Sequence, residues 1–367
     1  MANSNPIKRL FDLYTSDLSY QEIERLIKRE AGEVYEFFAK EIPKPDKSRS
    51  RFARGLVFAR SLFNAFLLKL TPARRIFYLA ALLFFIVGYA NDRSGYIILS
   101  FIVLNLLLAF ELADKLSARG ELDVARKIQS DLIPKHSPKI FNFSISSFYE
   151  PAREVGGDYF DVIESPQKTF IFVGDISGKG MAAALYMVRV QSILHLLLES
   201  FSDVREVTVN LKKYFSKNLR REYFLTLVSA SIDSDGTVSI ARAGHLPAYW
   251  YKSSEKKFEI ICPSGIAIGF NDKGMFERTL EITVFKPREN DLVFIQTDGV
   301  TETMNTLFME FGEDNVKRVL SNNAGKSPDE IRQSLLNAIA MFRGQAPQHD
   351  DLTFVILKAN AEPQNAV

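Results

Sequence analysis

The stretch that decides the fold is Phe-Ile-Phe-Val-Gly-Asp-Ile-Ser-Gly-Lys-Gly-Met-Ala-Ala-Ala, residues 170–184. Its first four residues are aromatic or β-branched, which predicts a buried strand. The strand is expected to end near Gly174. A glycine-rich turn follows, and then an Ala- and Leu-rich run at 181–198 that predicts a long helix. Asp175 is therefore expected at a strand end, beside backbone that a ligand can approach closely.

Three further acidic positions repeat this arrangement of a carboxylate beside a predicted strand. Asp158 follows two glycines, and Asp298 lies between an apolar run and a glycine. The pair Asp350 and Asp351 precedes the strand-like run at 352–357. Carboxylates that converge in a fold repel one another, which raises their pKa values unless a cation lies among them. Hard oxygen ligands suit Mg²⁺ or Mn²⁺. The alternative is a set of ordinary turn aspartates, since Asp-Gly is a common turn dipeptide.

At this point the sequence resembles the SpoIIE/RsbU-type serine phosphatases, the bacterial branch of the metal-dependent protein phosphatase (PPM, 2C-like) family. The resemblance covers about residues 122–358 and rests on five motifs in the family's order. It implies an α+β fold, an α-β-β-α layered sandwich of two antiparallel sheets flanked by helices. The motifs are Ala-Arg-Glu-Val-Gly-Gly-Asp-Tyr-Phe-Asp (152–161), Gly-Asp-Ile-Ser-Gly-Lys-Gly (174–180), Ala-Gly-His-Leu-Pro (243–247), Thr-Asp-Gly-Val-Thr-Glu (297–302) and Asp-Asp-Leu-Thr (350–353).

The resemblance also implies a mechanism in which two Mn²⁺ or Mg²⁺ ions activate a water molecule for in-line attack on phosphorus. Asp175 and Asp298 would be the central ligands, and Asp158 would act directly or through water. The implied metal ligands are Asp158, Asp175, the carbonyl of Ile176, Asp298, Asp350 and Asp351.

Four other residues in these motifs could take part in chemistry. Arg153 could orient a phosphate through charge-assisted hydrogen bonds, or it could be a solvated loop arginine. Lys179 is a second candidate of this kind. His245 could donate to substrate or carry a proton, with a structural turn histidine as the alternative. Ser177 lacks the His and Asp partners that a nucleophilic serine needs.

Composition limits the other functions that the chain could have. The 46 Lys and Arg residues nearly balance the 44 Asp and Glu residues, so no nucleic-acid signature is present. Cys262 is the only cysteine, which excludes an intrachain disulfide and a Cys-based zinc site. The polar residues 1–41 predict amphipathic helical structure and no cleavable signal peptide.

Two uncharged apolar runs, 76–90 and 96–110, predict a transmembrane helical hairpin, with a buried soluble hairpin as the alternative. Each run spans about 22 Å as a helix, and flanking residues such as Arg74 and Arg75 could extend it by snorkelling. Basic residues before the first run and after the second place both termini in the cytoplasm. The expected location is therefore the inner membrane, multi-pass, with the C-terminal domain in the cytoplasm.

The expected organisation has a linker helix between membrane and catalytic domain. Its interrupted apolar stripe, with Gly120 as a possible joint, predicts a homodimer through coiled-coil contacts or a helix that packs on the domain. The expected segments are 1–75 (N-terminal helical and basic region), 76–110 (transmembrane hairpin), 111–135 (linker), 136–360 (phosphatase domain) and 361–367 (tail).

The sequence thus predicts a membrane-anchored serine/threonine phosphatase that acts on a phosphoprotein. By resemblance, the partner is a phosphorylated anti-anti-sigma protein of the STAS type. Two alternatives are a catalytically silent scaffold of the same fold and a nucleotide phosphohydrolase. An intact set of aspartates argues against the scaffold.

Overall fold

The computed structural model describes residues 51–134, 140–165, 167–270 and 273–360. The helical segment predicted within 1–41 and the 361–367 tail lie outside the described residues. The chain divides into two compact units, Met1–Ser117 and Ala118–Val367.

The first unit is helical where it is described. Pro72 begins the second helix at a position where its missing N–H is not needed. Gly88 lets the next helix pack closely, because a Cβ atom there would lie 2.9 Å from the Ile97 side chain. Near the other end of this pair, Arg74 forms ion pairs with Glu111 at 2.8 Å and Asp114 at 2.7 Å. The helices are α1 (Arg51–Lys69), α2 (Pro72–Ala90) and α3 (Ser94–Leu132), and α3 continues into the second unit.

Among the described residues, three helices are long and apolar enough to cross a membrane by length and composition. Two of them are α2 and α3, whose side chains are largely exposed, with Phe101 at 68% and Leu108 at 67%. The third is Met181–Leu198, which buries Met187 and Leu194 completely inside the second unit.

The second unit contains two five-stranded antiparallel sheets. The first has the strand order β1-β10-β9-β6-β7, and the second has the order β2-β3-β4-β5-β8. The prediction of two antiparallel sheets with helices is confirmed. The strands are β1 (Phe143–Glu150), β2 (Asp158–Glu164), β3 (Lys168–Ile176), β4 (Leu225–Asp233), β5 (Val238–Ala243), β6 (Ala248–Lys252), β7 (Lys257–Ile261), β8 (Ile282–Phe285), β9 (Leu292–Gln296) and β10 (Leu352–Ala359).

The helices of this unit begin with local signals that the sequence carries. Ser327 and Glu330 form a capping box, in which each side chain bonds the other residue's backbone N–H. Asp203 accepts hydrogen bonds from two N–H groups of the helix that follows it. The helices are α4 (Met181–Leu198), α5 (Val204–Phe215), α6 (Met275–Thr279), α7 (Asp298–Thr301), α8 (Gly312–Asn323) and α9 (Pro328–Arg343), with a 3₁₀ turn at Ser216–Asn218.

The apolar runs of the central strands are continuous because both strand faces are buried. In β3, Phe170 and Phe172 join an apolar cluster with α4 and α5, while Ile171 and Val173 join a cluster that contains residues of both sheets. This is the two-residue alternation of a strand. β10 divides its side chains in the same way between the shared cluster and a third cluster with α8 and α9.

Two sequence predictions differ from the structure. The alternating pattern at 277–284 predicts a strand over all eight residues. The strand begins only at Ile282, because Phe276 is buried in the α4–α5 cluster and anchors helix α6. The strand expected to end near Gly174 continues to Ile176. Gly174 permits this, since a Cβ atom there would lie 2.6 Å from the Thr226 carbonyl oxygen of β4.

Candidate metal and phosphate site

Strand pairing and strand ends bring the predicted aspartates together. Asp158 of β2 lies directly opposite Asp175 of β3 in the antiparallel register. Asp298 begins α7 immediately after β9, and Asp350 and Asp351 lie immediately before β10, the strand that pairs with β9. The carboxylate of Asp175 is close enough to those of Asp298, Asp350 and Asp351 for each of them to raise its pKa.

Asp158 is buried and bridges the two sheets. Its Oδ2 accepts hydrogen bonds from the hydroxyl of Thr297 at 2.7 Å and from that of Thr353 at 2.5 Å. Burial raises the pKa of Asp158 well above its usual range, and Asp175 and Asp351 raise it further. Asp158 thus ties β2 of the second sheet to the ends of β9 and β10 in the first sheet, where the aspartates converge.

Asp351 organises the loop that leads into Asp158. Its Oδ1 accepts from the N–H of Ala152 at 2.8 Å, and its Oδ2 accepts from the N–H of Gly157 at 2.7 Å. Burial raises the pKa of Asp351, although these backbone donors act in the opposite direction. Both carboxylate oxygens therefore bind the chain's own backbone.

Asp175 and Asp298 are the carboxylates with the most freedom to bind a cation, and Asp350 lies next to them with its two oxygens bonded to Lys179 and to the N–H of Asp351. Burial raises the pKa of Asp175 to about 7, with further contributions from Asp298 and Asp350. Burial and Asp350 also raise the pKa of Asp298. A positive charge among these groups would relieve their repulsion.

The donor set is suited to a hard divalent cation, because it consists of oxygen atoms. It includes the backbone at Ile176, where a Cβ atom on Gly157 would lie 2.9 Å from the carbonyl oxygen. Within the described ranges, no group of three or more His, Cys, Asp or Glu side chains is arranged so that it could already hold a metal ion.

Two basic side chains belong to this region. Lys179 Nζ donates to Asp350 Oδ2 at 2.7 Å and to the carbonyl of His349 at 2.7 Å. Arg153 lies on the exposed surface of the loop that Asp351 organises. Among the described residues it makes no hydrogen bond or ion pair, so its guanidinium is available to a phosphate.

His245 and Ser177 have structural partners. The Nε2 of His245 donates to the carbonyl of Gln296 at 3.0 Å, so its Nδ1 accepts from the hydroxyl of Thr226 at 2.8 Å. Burial lowers the pKa of His245 to about 4, which keeps the ring neutral. The Oγ of Ser177 accepts from the N–H of Phe224 at 2.8 Å. These bonds join β4 to its neighbours beside the aspartates.

Sequence reasoning missed several residues that shape this site. Thr297 and Thr353 stand inside the quoted motifs, and their position next to Asp298 and Asp351 was a signal that could have been used. Gln129 lies on α3, and its side chain bonds the backbone of Gly156, beside the glycine that precedes Asp158. No motif or spacing in the sequence indicates that contact.

Known proteins resemble this chain in sequence and in fold. The family model of Stage II sporulation protein E (SpoIIE) matches residues 165–360, more than half of the chain. The phosphoserine phosphatase RsbU of Bacillus subtilis (strain 168) is 24% identical over 246 residues, which cover 65% of this chain and 70% of RsbU. The SiaA-PP2C domain of Pseudomonas aeruginosa is 18% identical with a TM-score of 0.59, covering 68% of this chain and 98% of that domain. The structure of the PP2C domain of Bacillus subtilis SpoIIE with a regulatory-domain fragment is 21% identical with a TM-score of 0.51, covering 60% of this chain and 64% of that one.

The fold is that of the PP2C-type phosphatases. The chain belongs to the SpoIIE family, which confirms the identification made from the five motifs.

The raised pKa values predict that the metal-free protein loses stability as the pH rises from about 5 to about 7. An acid whose folded-state pKa is raised binds more protons when folded, so the free energy of unfolding falls as pH rises toward the folded pKa, which is about 7 for Asp175. The lowered pKa of His245 acts in the opposite direction below its usual 6.5, but it is one group against the several carboxyl groups whose pKa is raised. One such proton changes the free energy of unfolding by at most about 1.4 kcal/mol per pH unit.

Urea unfolding of the full-length chain in EDTA, at steps of pH across that window, measures this slope. Asp298→Asn should flatten it, because one of the repelling charges is removed. A stability that rises with pH in this window would contradict the electrostatic account of the site.

Proposed function

We propose that the chain is a membrane-anchored, Mn²⁺- or Mg²⁺-dependent serine/threonine protein phosphatase. The observation that carries the proposal is the convergence of Asp175, Asp298 and Asp350, whose mutual repulsion makes a cation favourable. SpoIIE-family membership supports the choice of phosphate-ester hydrolysis. The α-β-β-α layering belongs to the same proposal, and it is supported by the three apolar clusters.

Asp175, Asp298, Asp350 and the carbonyl of Ile176 would hold two metal ions, with Asp158 acting directly or through water. When bound, such ions supply an activated water and stabilise charge on phosphorus. We propose that Asp351 mainly positions the neighbouring loop, because both of its carboxylate oxygens accept hydrogen bonds from backbone N–H groups.

The protein's own residues would bind and position the phosphate ester. Arg153 is exposed, its neighbour Ala152 donates its N–H to Asp351, and its guanidinium would orient the phosphate through charge-assisted hydrogen bonds. Lys179 partly neutralises Asp350 and would remain next to the reacting group. His245 would keep the end of β4 in place, since both of its ring nitrogens are bonded.

The proposed substrate is a phosphoserine or phosphothreonine on a signalling protein, with a STAS-type anti-anti-sigma protein as the specific candidate. The matching relative RsbU is named a phosphoserine phosphatase, which supports a phosphoserine protein as the substrate class. The segment 136–360 would form the phosphatase domain.

Membrane anchoring through 76–110 is supported by α2 and α3, two adjacent apolar helices with largely exposed side chains. The basic segment 1–75 and the linker 111–135 would then both lie in the cytoplasm. Release of the full-length chain from membranes by alkaline carbonate would contradict the anchoring.

The linker would form a coiled-coil homodimer. Three apolar side chains of its interrupted stripe, Leu112, Leu116 and Ile128, are each more than half exposed. Exposed apolar side chains on a linker helix support a second helix as their cover.

Phosphate release from a phosphoserine protein tests the proposal. We expect the full-length chain, purified in mild detergent, to hydrolyse a phosphorylated STAS-domain protein in Mn²⁺ and to lose this activity in EDTA. Binding of the phosphoprotein without hydrolysis at any Mn²⁺ concentration would instead support the silent scaffold. Hydrolysis of nucleotides but not of the phosphoprotein would support the nucleotide hydrolase.

A further inference from the structure

Gln129, near the C-terminal end of α3, is buried although its neighbours on the helix are not. Its exposed fraction is 3%, whereas that of Ile128 is 56%. Its Nε2 donates to the carbonyl of Gly156 at 2.7 Å, and its Oε1 accepts from the N–H of Gly156 at 3.1 Å. One carboxamide thus satisfies both backbone groups of a residue 27 positions further along the chain.

Gly156 is closely packed, with no space for a side chain. A Cβ atom there would lie 2.7 Å from the Tyr149 hydroxyl and would overlap the Asp351 carboxylate. The next residue, Gly157, donates its N–H to Asp351. After it comes Asp158, whose carboxylate binds Thr297 and Thr353. Gln129 therefore fixes the first of three consecutive residues that end inside the aspartate cluster.

A second bond fixes the same helix end. The carbonyl of Leu132 accepts from Nε2 of Gln191 on α4 at 2.6 Å. The last turn of α3 is thus bonded both to the loop before Asp158 and to the helix that follows Asp175. A rotation of this turn would break the two Gln129 bonds together and leave two buried backbone groups without partners, which is costly.

We propose that Gln129 is a positioning residue of the phosphatase site: its carboxamide holds the Gly156 peptide so that the loop of Gly157 and Asp158 stays in the conformation that binds the metal ions. This inference rests on the proposed function. It makes the last turn of α3 part of the metal site, although no side chain of that turn is itself a ligand.

Gln129→Met tests the inference, because methionine has a similar volume and length but cannot make either hydrogen bond. Gln129→Asn is the second variant, since it keeps the carboxamide but is one methylene too short to reach. Ser130→Ala is the matched control, because within the described part of the chain the Ser130 hydroxyl bonds only the carbonyl of Lys127 on its own helix. All are compared as full-length chains in detergent.

Three measurements are made on each variant: deuterium uptake at residues 155–158 without metal, Mn²⁺ binding by EPR, and phosphate release against Mn²⁺ concentration. For Gln129→Met and Gln129→Asn we expect faster uptake and Mn²⁺ affinity weaker by roughly 10–100-fold, the usual effect of losing a group that orients metal ligands. Activity should recover at high Mn²⁺, and Ser130→Ala should match the wild type.

Wild-type uptake and Mn²⁺ affinity in both Gln129 variants would overturn the inference. So would a fall in activity that high Mn²⁺ does not restore while Mn²⁺ affinity is unchanged, since this indicates a merely structural role. The proposed function fails separately, if the wild type itself releases no phosphate in Mn²⁺. Deuterium uptake still tests Gln129 in that case, because it does not depend on turnover.

Discussion

Replacing Asp298 by asparagine is expected to lower Mn²⁺-dependent phosphate release by roughly 10²–10³-fold, the range found when one preorganised electrostatic group is removed from an active site. Asp298 begins α7 directly after β9, and it is one of the carboxylates that raise the pKa of Asp175. An amide of the same shape removes the negative charge that would hold a cation. The expected loss therefore comes from metal binding and not from the fold.

The fold of this variant should be intact or more stable without metal. Burial and Asp350 raise the pKa of Asp298, so its charge opposes folding in the metal-free chain at neutral pH. Asp314→Asn, at an exposed position in the first turn of α8, is the matched control and should keep full activity. Wild-type Mn²⁺-dependent activity in Asp298→Asn would show that Asp298 is not needed to bind the metal ions.

Replacing Gly156 by alanine should damage both stability and activity. The added methyl group would meet the Asp351 carboxylate and the Tyr149 hydroxyl. Two backbone N–H groups hold Asp351, and Tyr149 lies on β1, which pairs with β10 along its length. Overpacking of this kind costs about 1–3 kcal/mol of unfolding free energy. Displacement of Asp351 would also release the backbone of Ala152 and Gly157, so we expect activity to fall by at least about 100-fold.

Gly120→Ala is the control, because a Cβ atom at Gly120 would meet nothing within 4 Å. In a helix this change should stabilise the protein by up to about 1 kcal/mol and leave the activity unchanged. Thermal or urea unfolding and the phosphate assay compare the two variants. A Gly156→Ala protein that is as stable and as active as the wild type would show that the loop before Asp158 is not closely constrained.

The sequence predicted the parts of the site that belong to local motifs. Asp175, Asp298 and Asp350 each stand beside an apolar strand and a short turn, and both features leave a periodic or compositional signal. Such runs also indicated where the strands lie along the chain, but not their order within each sheet. The exception is 277–284, where alternation indicated a strand but burial of Phe276 produces the short helix α6.

The contacts that organise the site could not be predicted in this way. Gln129 and Gly156 are 27 residues apart, and nothing in either local sequence specifies the other. The different hydrogen-bond partners of Asp350 and Asp351 could not be predicted from the local sequence either. Only the packed structure shows that the backbone N–H groups of Ala152 and Gly157 bind Asp351, while Lys179 binds Asp350. Such pairings are set by tertiary packing, which sequence periodicity does not encode.

The central claim is that the aspartate cluster binds the metal ions on which phosphate release depends. The most direct measurement is a Mn²⁺ titration of the full-length wild type in which EPR reports bound metal while phosphate release from a phosphoserine protein is followed in the same samples. The account predicts two bound ions per chain and activity that rises over the same Mn²⁺ range, with both lost in Asp298→Asn. Full activity in EDTA, or Mn²⁺ binding that Asp298→Asn leaves unchanged, would contradict it.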